Sequence, residues 1–289
     1  MTKFAYLGPE GTYSDEAVHL FAQEAAGEDA AQTPEYLACA TIMEVFAKVS
    51  VGDADFGVVP IENSLEGSVN TTLDELAFGP AVRILGEKTL DIHHALVAAP
   101  GTRLEDITTV LSHLQAIGQC SHWINDKLPG RPVLAANSTA DAVRLAVPRP
   151  GYAAVASEFA AGLYGAEVLE RSIEDEPNNQ TSFVLIANPQ VAAGYRSAEP
   201  AAGQQYKTTV ALFQVDDKPG SLLMILSEFA KASVNLTKIQ SRPTKQAMGE
   251  YMFFLDFEGQ QSDPAVKAAL DSLRGVLREV KVLGSYPAA

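Results

Sequence analysis

Five short runs of β-branched or aromatic residues, each followed by a helix-patterned segment, fill the first 190 positions and constrain the fold more than any other feature. "KFAYL" leads into "DEAVHLFAQEA", "DFGVVP" into "NTTLDELAF", "TTVLS" into "QAIGQCSHWINDKL", "RPVLAA" into "TADAVRLAV" and "YAAVA" into "EFAAGLYG". Strands alternating with helices at this spacing predict parallel sheets covered on both faces, a doubly wound α/β architecture. "EKTLDIHHALVAAPG" at 87–101 reads as one long strand region carrying the chain into a second lobe, and "TSFVLIAN" carries it back. Lobe 1 is then about 1–80 with 178–190, lobe 2 about 81–177, and a cleft lies between them.

The order changes after Pro189. Residues 191–206, rich in Ala, Gly, Pro and Gln without a hydrophobic period, read as a linker. Residues 207–286 then run strand, helix, strand, strand, helix, strand. Leu222, Ile225, Leu226 and Phe229 fall on one helical face, as a helix lying on a sheet requires. That order predicts a ferredoxin-like α+β sandwich, a scaffold that fixes no function by itself.

A net charge of −15 argues against a nucleic-acid partner, which calls for a basic stripe to displace counterions from phosphate. No stretch approaches the roughly 18 apolar residues of a membrane span, and "MTKFAYLGPEG" lacks an apolar leader core, so the expected location is the cytoplasm. Cys39 and Cys120 stand in no metal-ligand spacing and read as reduced, buried thiols.

In open α/β sheets ligands lie beyond the carboxyl ends of the strands. Those positions here hold Gly8, Gly11, Thr12 and Ser14; Glu62, Asn63, Ser64, Gly67 and Ser68; His113 and Gln115; and Asn137, Ser138 and Thr139. Singly, Ser14 and Ser138 read as helix N-caps. Together, several hydroxyl-bearing helix starts facing one cleft suit an anion, because free N–H groups and the helix dipole both favour negative charge. "GPEGTYS" has neither dinucleotide-fold nor P-loop spacing, and His93 and His94 point to opposite faces of a strand, which makes a poor metal pair. Against the return strand, "NNQTS" sets Asn178, Asn179, Gln180, Thr181 and Ser182 in a row, more polar residues than a turn needs.

These motifs resemble the prephenate dehydratase family across nearly the whole chain. "GPEGTYS" is similar to its G-P-x-G-[TS]-[FY]-[ST] opening, "GVVPIENSLEGSV" to its most specific internal signature, and "NQTSF" stands in the place of its T-R-F motif. "PGSLLMIL" and "QSRP" occupy the places of the G-A-L and E-S-R-P motifs of its regulatory module. The resemblance implies a periplasmic-binding-protein-like catalytic domain over 1–190 and a ferredoxin-like ACT regulatory domain over 207–286. It implies decarboxylating dehydration of prephenate to phenylpyruvate, with no metal or organic cofactor. The key threonine falls on Thr181, with Asn63 and Glu62 as further catalytic candidates. Gly11, Thr12, Ser14, Ser64, Gln115, Ser138, Thr139, Ser182 and Phe183 are the expected substrate contacts.

In the regulatory module the resemblance implies an L-phenylalanine site between two copies, one wall formed by Pro219, Gly220, Ser221 and Leu222 and the other by Gln240, Ser241, Arg242 and Pro243. A homodimer or homotetramer is the implied working unit. Three positions depart from the family pattern: Ser182 replaces the Arg of T-R-F, Leu114 the Pro of H-P-Q-A, and Gln240 the Glu of E-S-R-P. The first leaves the strand-end loops without an arginine or lysine. Two alternatives stay open, a non-catalytic sensor of aromatic metabolites and the same chemistry on arogenate.

Overall fold

The computed structural model describes residues 1–26, 33–195, 205–214, 218–245, 248 and 250–289. The first lobe holds β1 (Lys3–Leu7), α1 (Tyr13–Ala26), β2 (Glu35–Cys39), α2 (Ile42–Val51), β3 (Phe56–Asn63), β4 (Gly67–Ser68), α3 (Asn70–Phe78) and β5 (Arg83–Asp91). The chain then enters a second lobe of β6 (Ala95–Ala98), β7 (Thr109–Ser112), α4 (Leu114–Gln119), α5 (Ser121–Lys127), β8 (Val133–Ala135), α6 (Thr139–Ala146), β9 (Tyr152–Ala156), α7 (Glu158–Tyr164) and β10 (Glu167–Glu170). It returns in β11 (Gln180–Ala187) and α8 (Pro189–Gly194). The last module is β12 (Tyr206–Phe213), α9 (Ser221–Lys231), β13 (Leu236–Pro243), β14 (Tyr251–Glu258), α10 (Pro264–Arg274) and β15 (Glu279–Pro287).

The first sheet runs β2-β1-β3-β11-β5, with β4 paired to β3 and β1 parallel to both its neighbours. The second runs β10-β6-β9-β7-β8; β7 is parallel to β8 and β9, while β6 is antiparallel to β9 and β10. Its β6, Ala95–Ala98, is apolar and buried at every position because both of its faces are covered. Ala95 and Val97 of β6 belong to one core with α6, and Leu96 and Ala98 to another with α4 and α5.

The helices that carry the cleft are started by their own side chains. Ser138 Oγ accepts from Asp141 N at 2.9 Å to open α6, and His113 Nδ1 accepts from Gln115 N at 3.4 Å to open α4. Thr12 caps α1, its carbonyl accepting from Glu16 N at 3.0 Å and its hydroxyl from Asp15 N at 3.4 Å. Ser14, expected as that cap, therefore sits inside the first turn, which leaves its hydroxyl uncommitted to the helix.

The last module pairs antiparallel throughout in the order β13-β14-β12-β15, with Phe229 of α9 and Leu270 of α10 sharing one core with Val210, Leu255 and Phe257 of the sheet. By contacts the chain divides into two compact units, Met1–Thr72 with Lys88–Phe183 and Leu73–Glu87 with Val184–Ala289. Within the second, Asp74 of α3 pairs with Arg242 at 2.5 Å and Lys245 at 2.8 Å, and Lys281 Nζ donates to the Ala77 carbonyl at 3.1 Å. The second half of α3 is thus held by side chains of the C-terminal module.

Two boundaries differ from the sequence reading. The region 87–101 is not one strand: β5 stays in the first sheet, and the crossing falls at 92–94 rather than near 81. There Ile92 N donates to Asn179 O at 2.8 Å and His94 N to Glu174 Oε2 at 2.9 Å, partners on the returning segment that replace a sheet ladder. Residues 189–194, read in part as linker, form a helix because Asn188 Oδ1 accepts from Gln190 N and Val191 N and Pro189 occupies its first turn. Residues 196–204 of the expected linker lie outside the described residues. Among the described residues no helix is long and apolar enough to cross a membrane.

Candidate active site

The five consecutive polar residues that lead into and begin the return strand are each used, and in different directions. Asn178 O accepts from Ser64 Oγ at 3.0 Å, and Gln180 Nε2 donates to Asp91 Oδ1 at 2.8 Å. Ser182 Oγ pairs with Thr89 Oγ1 at 2.9 Å. Asn179 and Thr181 meet Asn63, their side chains accepting from its Nδ2 at 2.7 and 2.9 Å. Strand alternation explains the division: Thr181 and Phe183 share one face of β11 and Ser182 the other.

That face looks into a cleft of about 430 Å³ between the two lobes of the first unit. Of the expected residues, Thr12, Ser14, Asn63, Gln115, Ser138, Thr139, Thr181 and Phe183 line it. Four others lie outside the lining. Ser182 turns toward β5. Ser64 staples its turn to the return segment, its hydroxyl accepting from Gln180 N at 2.9 Å. Glu62 follows the strand alternation away from Asn63 and pairs in register with Ser68 of β4. Gly11 adopts a φ of +86°, and a Cβ there would lie 3.0 Å from Tyr164 and 3.2 Å from Ala140 of the second lobe. Its role is close approach, not ligand contact.

The lining also contains residues that sequence reasoning left out of the site: Tyr13, Ile92, His94 and Gln119, together with Asn179. Tyr13 donates its hydroxyl to the His93 carbonyl, and burial with the nearby Glu16 and Glu174 carboxylates raises its pKa. His94 is buried, its Nε2 3.0 Å from Gln119 Oε1, and burial lowers its pKa despite that bond and the Glu174 charge. The imidazole is neutral near neutral pH.

The electrostatics of the cleft are unusual for an anion site: no arginine or lysine lines it among the described residues. The starts of α1, α4 and α6 line it instead, and first-turn N–H groups and helix dipoles at such ends favour negative charge. The hydroxyls of Ser14 and Thr139 and the amide of Gln115 add neutral donors.

Asn63 sets the orientation of Thr181. Its Oδ1 accepts from Leu65 N at 3.0 Å and Glu66 N at 2.9 Å, so the other end of the amide must be the nitrogen. Nδ2 then donates to Thr181 Oγ1, and the threonine proton is left to point at a ligand.

In the regulatory module, Gly220 has a φ of +91° and begins α9, with Ser221 and Leu222 in its first turn. Alternation along β13 exposes Ser241 and Pro243 and turns Gln240 and Arg242 inward. Arg242, expected as part of the effector wall, is committed to its ion pair with Asp74 and only 14% exposed.

Fold and cleft define a class: a two-lobed α/β domain whose cleft is lined by helix starts, hydroxyls and amides, followed in the chain by a ferredoxin-like module. The family model for prephenate dehydratase matches residues 4–191, and that for the ACT domain residues 209–275. The chain belongs to the prephenate dehydratase family. It is 39% identical over 296 residues to prephenate dehydratase of Mycolicibacterium vanbaalenii, covering 99% of this chain and 91% of that one. The structure of prephenate dehydratase from Arthrobacter aurescens in complex with L-Phe is 34% identical, covers 99% of this chain and 90% of its own, and superposes with a TM-score of 0.82. GqqA, described as a novel type of quorum-quenching acylase, is 30% identical with a TM-score of 0.80, covering 99% of this chain and 98% of its own.

Proposed function

We propose that this chain converts prephenate to phenylpyruvate in L-phenylalanine biosynthesis and that L-phenylalanine regulates it through the C-terminal module. Departure of the ring carboxylate as CO2 leaves an electron pair that forms the new ring double bond while the ring hydroxyl leaves. Aromatisation drives the step, and the protein must hold two carboxylates and assist the leaving oxygen. The observation that carries this reading is the orientation of Thr181, whose oxygen is occupied by Asn63 and whose proton is therefore available to the leaving oxygen. A threonine is a poor acid, so its part is hydrogen-bond donation to developing charge; solvent supplies the proton that completes water. Ser14, Gln115 and Thr139 with the first-turn N–H groups hold the carboxylates.

The proposed domains are 1–190 for catalysis and 207–286 for regulation. The effector site is formed by Pro219, Gly220, Ser221 and Leu222 against Gln240, Ser241 and Pro243 of a neighbouring copy, with Arg242 holding β13 in place. This makes the working unit a homodimer or homotetramer, and the biosynthetic relatives support a cytoplasmic location.

The test is ultraviolet detection of phenylpyruvate from prephenate with purified protein, arogenate run in parallel and L-phenylalanine titrated in. Turnover of prephenate that is abolished by Thr181→Ala is expected. Turnover of arogenate alone, activity surviving Thr181→Ala, or a flat phenylalanine response would each overturn its part.

A further inference from the structure

Thr181 lies at one end of a hydrogen-bond relay whose every polarity is fixed from the backbone. Because Asn63 Oδ1 is held by two N–H groups, its Nδ2 is the donor to Asn179 Oδ1 at 2.7 Å. Asn179 must then present its own Nδ2 to Gln119, whose Oε1 accepts it at 3.3 Å. Gln119 Oε1 also lies 3.0 Å from His94 Nε2, and two oxygens or two lone pairs cannot share that contact. So His94 carries its proton on Nε2, and Nδ1, buried and without a partner among the described residues, is bare.

We propose that His94 is a positioning residue for the dehydration: its Nε2–H locks the Gln119 amide, and through Asn179 and Asn63 it holds the Thr181 hydroxyl in its productive orientation. This rests on the reading of Thr181 given above. Gln119 is caught between His94 and Asn179 by its oxygen, which leaves its Nε2, also buried and without a partner among the described residues, as a further donor beside the cleft. The groups around the imidazole keep it in this role. Glu174 binds its backbone N–H and the neighbouring His93 rather than its ring, and Tyr13 meets the ring edge-on at 6.3 Å. Protonation of Nδ1 would place a charge where the structure supplies no acceptor.

The relay predicts an exchange of tautomers. Asn179→Asp is isosteric and still accepts from Asn63, but it cannot donate to Gln119. The Gln119 amide should turn over and donate to the new carboxylate and to His94 Nε2, moving the histidine proton to Nδ1. Nitrogen NMR of histidine-labelled protein reads this directly, with Nε2–H expected in the wild type and Nδ1–H in Asn179→Asp. Nδ1–H in the wild type, or no change in the variant, overturns the relay whether or not prephenate is the substrate.

Kinetics test the link to catalysis. His94→Leu should lower kcat about 100-fold, the cost of misplacing a reacting group, with KM changed less than about 3-fold. His94→Gln, which can return a donor to the Nε2 position, should recover most of that loss. In an Asn179→Ala background His94→Leu should add less than about 2-fold, the non-additivity expected of one connected network. Wild-type kcat in His94→Leu, equal damage from Leu and Gln, or additive effects would each overturn the proposal. A wild-type protein that leaves prephenate untouched would instead overturn the functional reading, with the NMR outcome standing on its own.

Discussion

Asn63→Asp is the sharpest perturbation of the site, because it keeps shape and reverses the polarity of one atom. The retained Oδ1 still accepts from Leu65 N and Glu66 N. The atom replacing Nδ2 faces three oxygens, Asn179 Oδ1 at 2.7 Å, Thr181 Oγ1 at 2.9 Å and Gln180 O at 3.1 Å, and as a carboxylate oxygen it can donate to none. The two Nδ2 protons, shared among these three oxygens, are worth about 1 kcal/mol per hydrogen bond, a stability loss on the order of 2 kcal/mol, read by urea denaturation. The catalytic effect has a different origin. Thr181 can keep a hydrogen bond to residue 63 only by donating its own proton there, so the hydroxyl no longer donates to the leaving oxygen. Loss of one such donor costs about 100- to 1000-fold in kcat.

The same geometry sets the pH dependence of that variant. An anion surrounded by acceptor oxygens has its pKa raised, and protonation gives back one donor. Activity of Asn63→Asp should therefore rise as pH falls, about tenfold per pH unit above the pKa of the new carboxyl, while the wild type shows no such rise. The assay is phenylpyruvate formation from pH 5 to 8.5 against an enzyme-free blank. Wild-type kcat at pH 8 would refute the assigned orientation of Thr181. A deficit that stays flat with pH would show that the amide serves the fold and not the hydroxyl.

Three further outcomes follow from the same coordinates. Ser182→Arg should leave kcat/KM for prephenate within about 3-fold and cost about 1 kcal/mol from the lost contact with Thr89, since position 182 faces away from the cleft; a large gain in kcat/KM would contradict that orientation. Gly11→Ala should destabilise by about 2 kcal/mol and lower activity, because a side chain at φ +86° is strained and its Cβ meets Tyr164 at 3.0 Å, Ala140 at 3.2 Å and Leu163 at 3.3 Å; thermal melts and steady-state assays check both. His94 contributes to the acid limb of stability: burial lowers its folded pKa, so its contribution is complete above the unfolded value of about 6.5 and is lost as pH falls from there through the folded pKa. Denaturation of wild type and His94→Gln from pH 5 to 8 should show the slope in the former and its reduction in the latter, with Glu174 opposing the shift and His93 adding to it.

What could be read in the sequence divides by the distance over which each feature is determined. The alternation of strands and helices and the order of the C-terminal module are local periodicities, and the structure has them. Strand alternation, also local, separates Thr181 from Ser182 and Asn63 from Glu62, so the placement of both lay within reach of the sequence once the strands were drawn. The helix at 189–194 likewise carried its signal in Asn188 followed by Pro189, outweighed by composition. The break at 92–94 did not, because Glu174 and Asn179, far along the chain, make it. The relay is of that second kind: Asn63 and Asn179 are 116 positions apart, Asn179 and Gln119 60, Gln119 and His94 25, and no spacing rule joins them. This long-range, neutral construction also bears on why no arginine lines the cleft among the described residues. A decarboxylating reaction discharges one carboxylate as CO2, and a guanidinium on that group would stabilise the ground state more than the transition state. Hydroxyls, amides and helix starts bind a carboxylate less tightly than a cation does, so they give up less when its charge departs. The donor whose value grows along the reaction is the Thr181 hydroxyl at the oxygen where charge accumulates, and it is the group on which the relay converges.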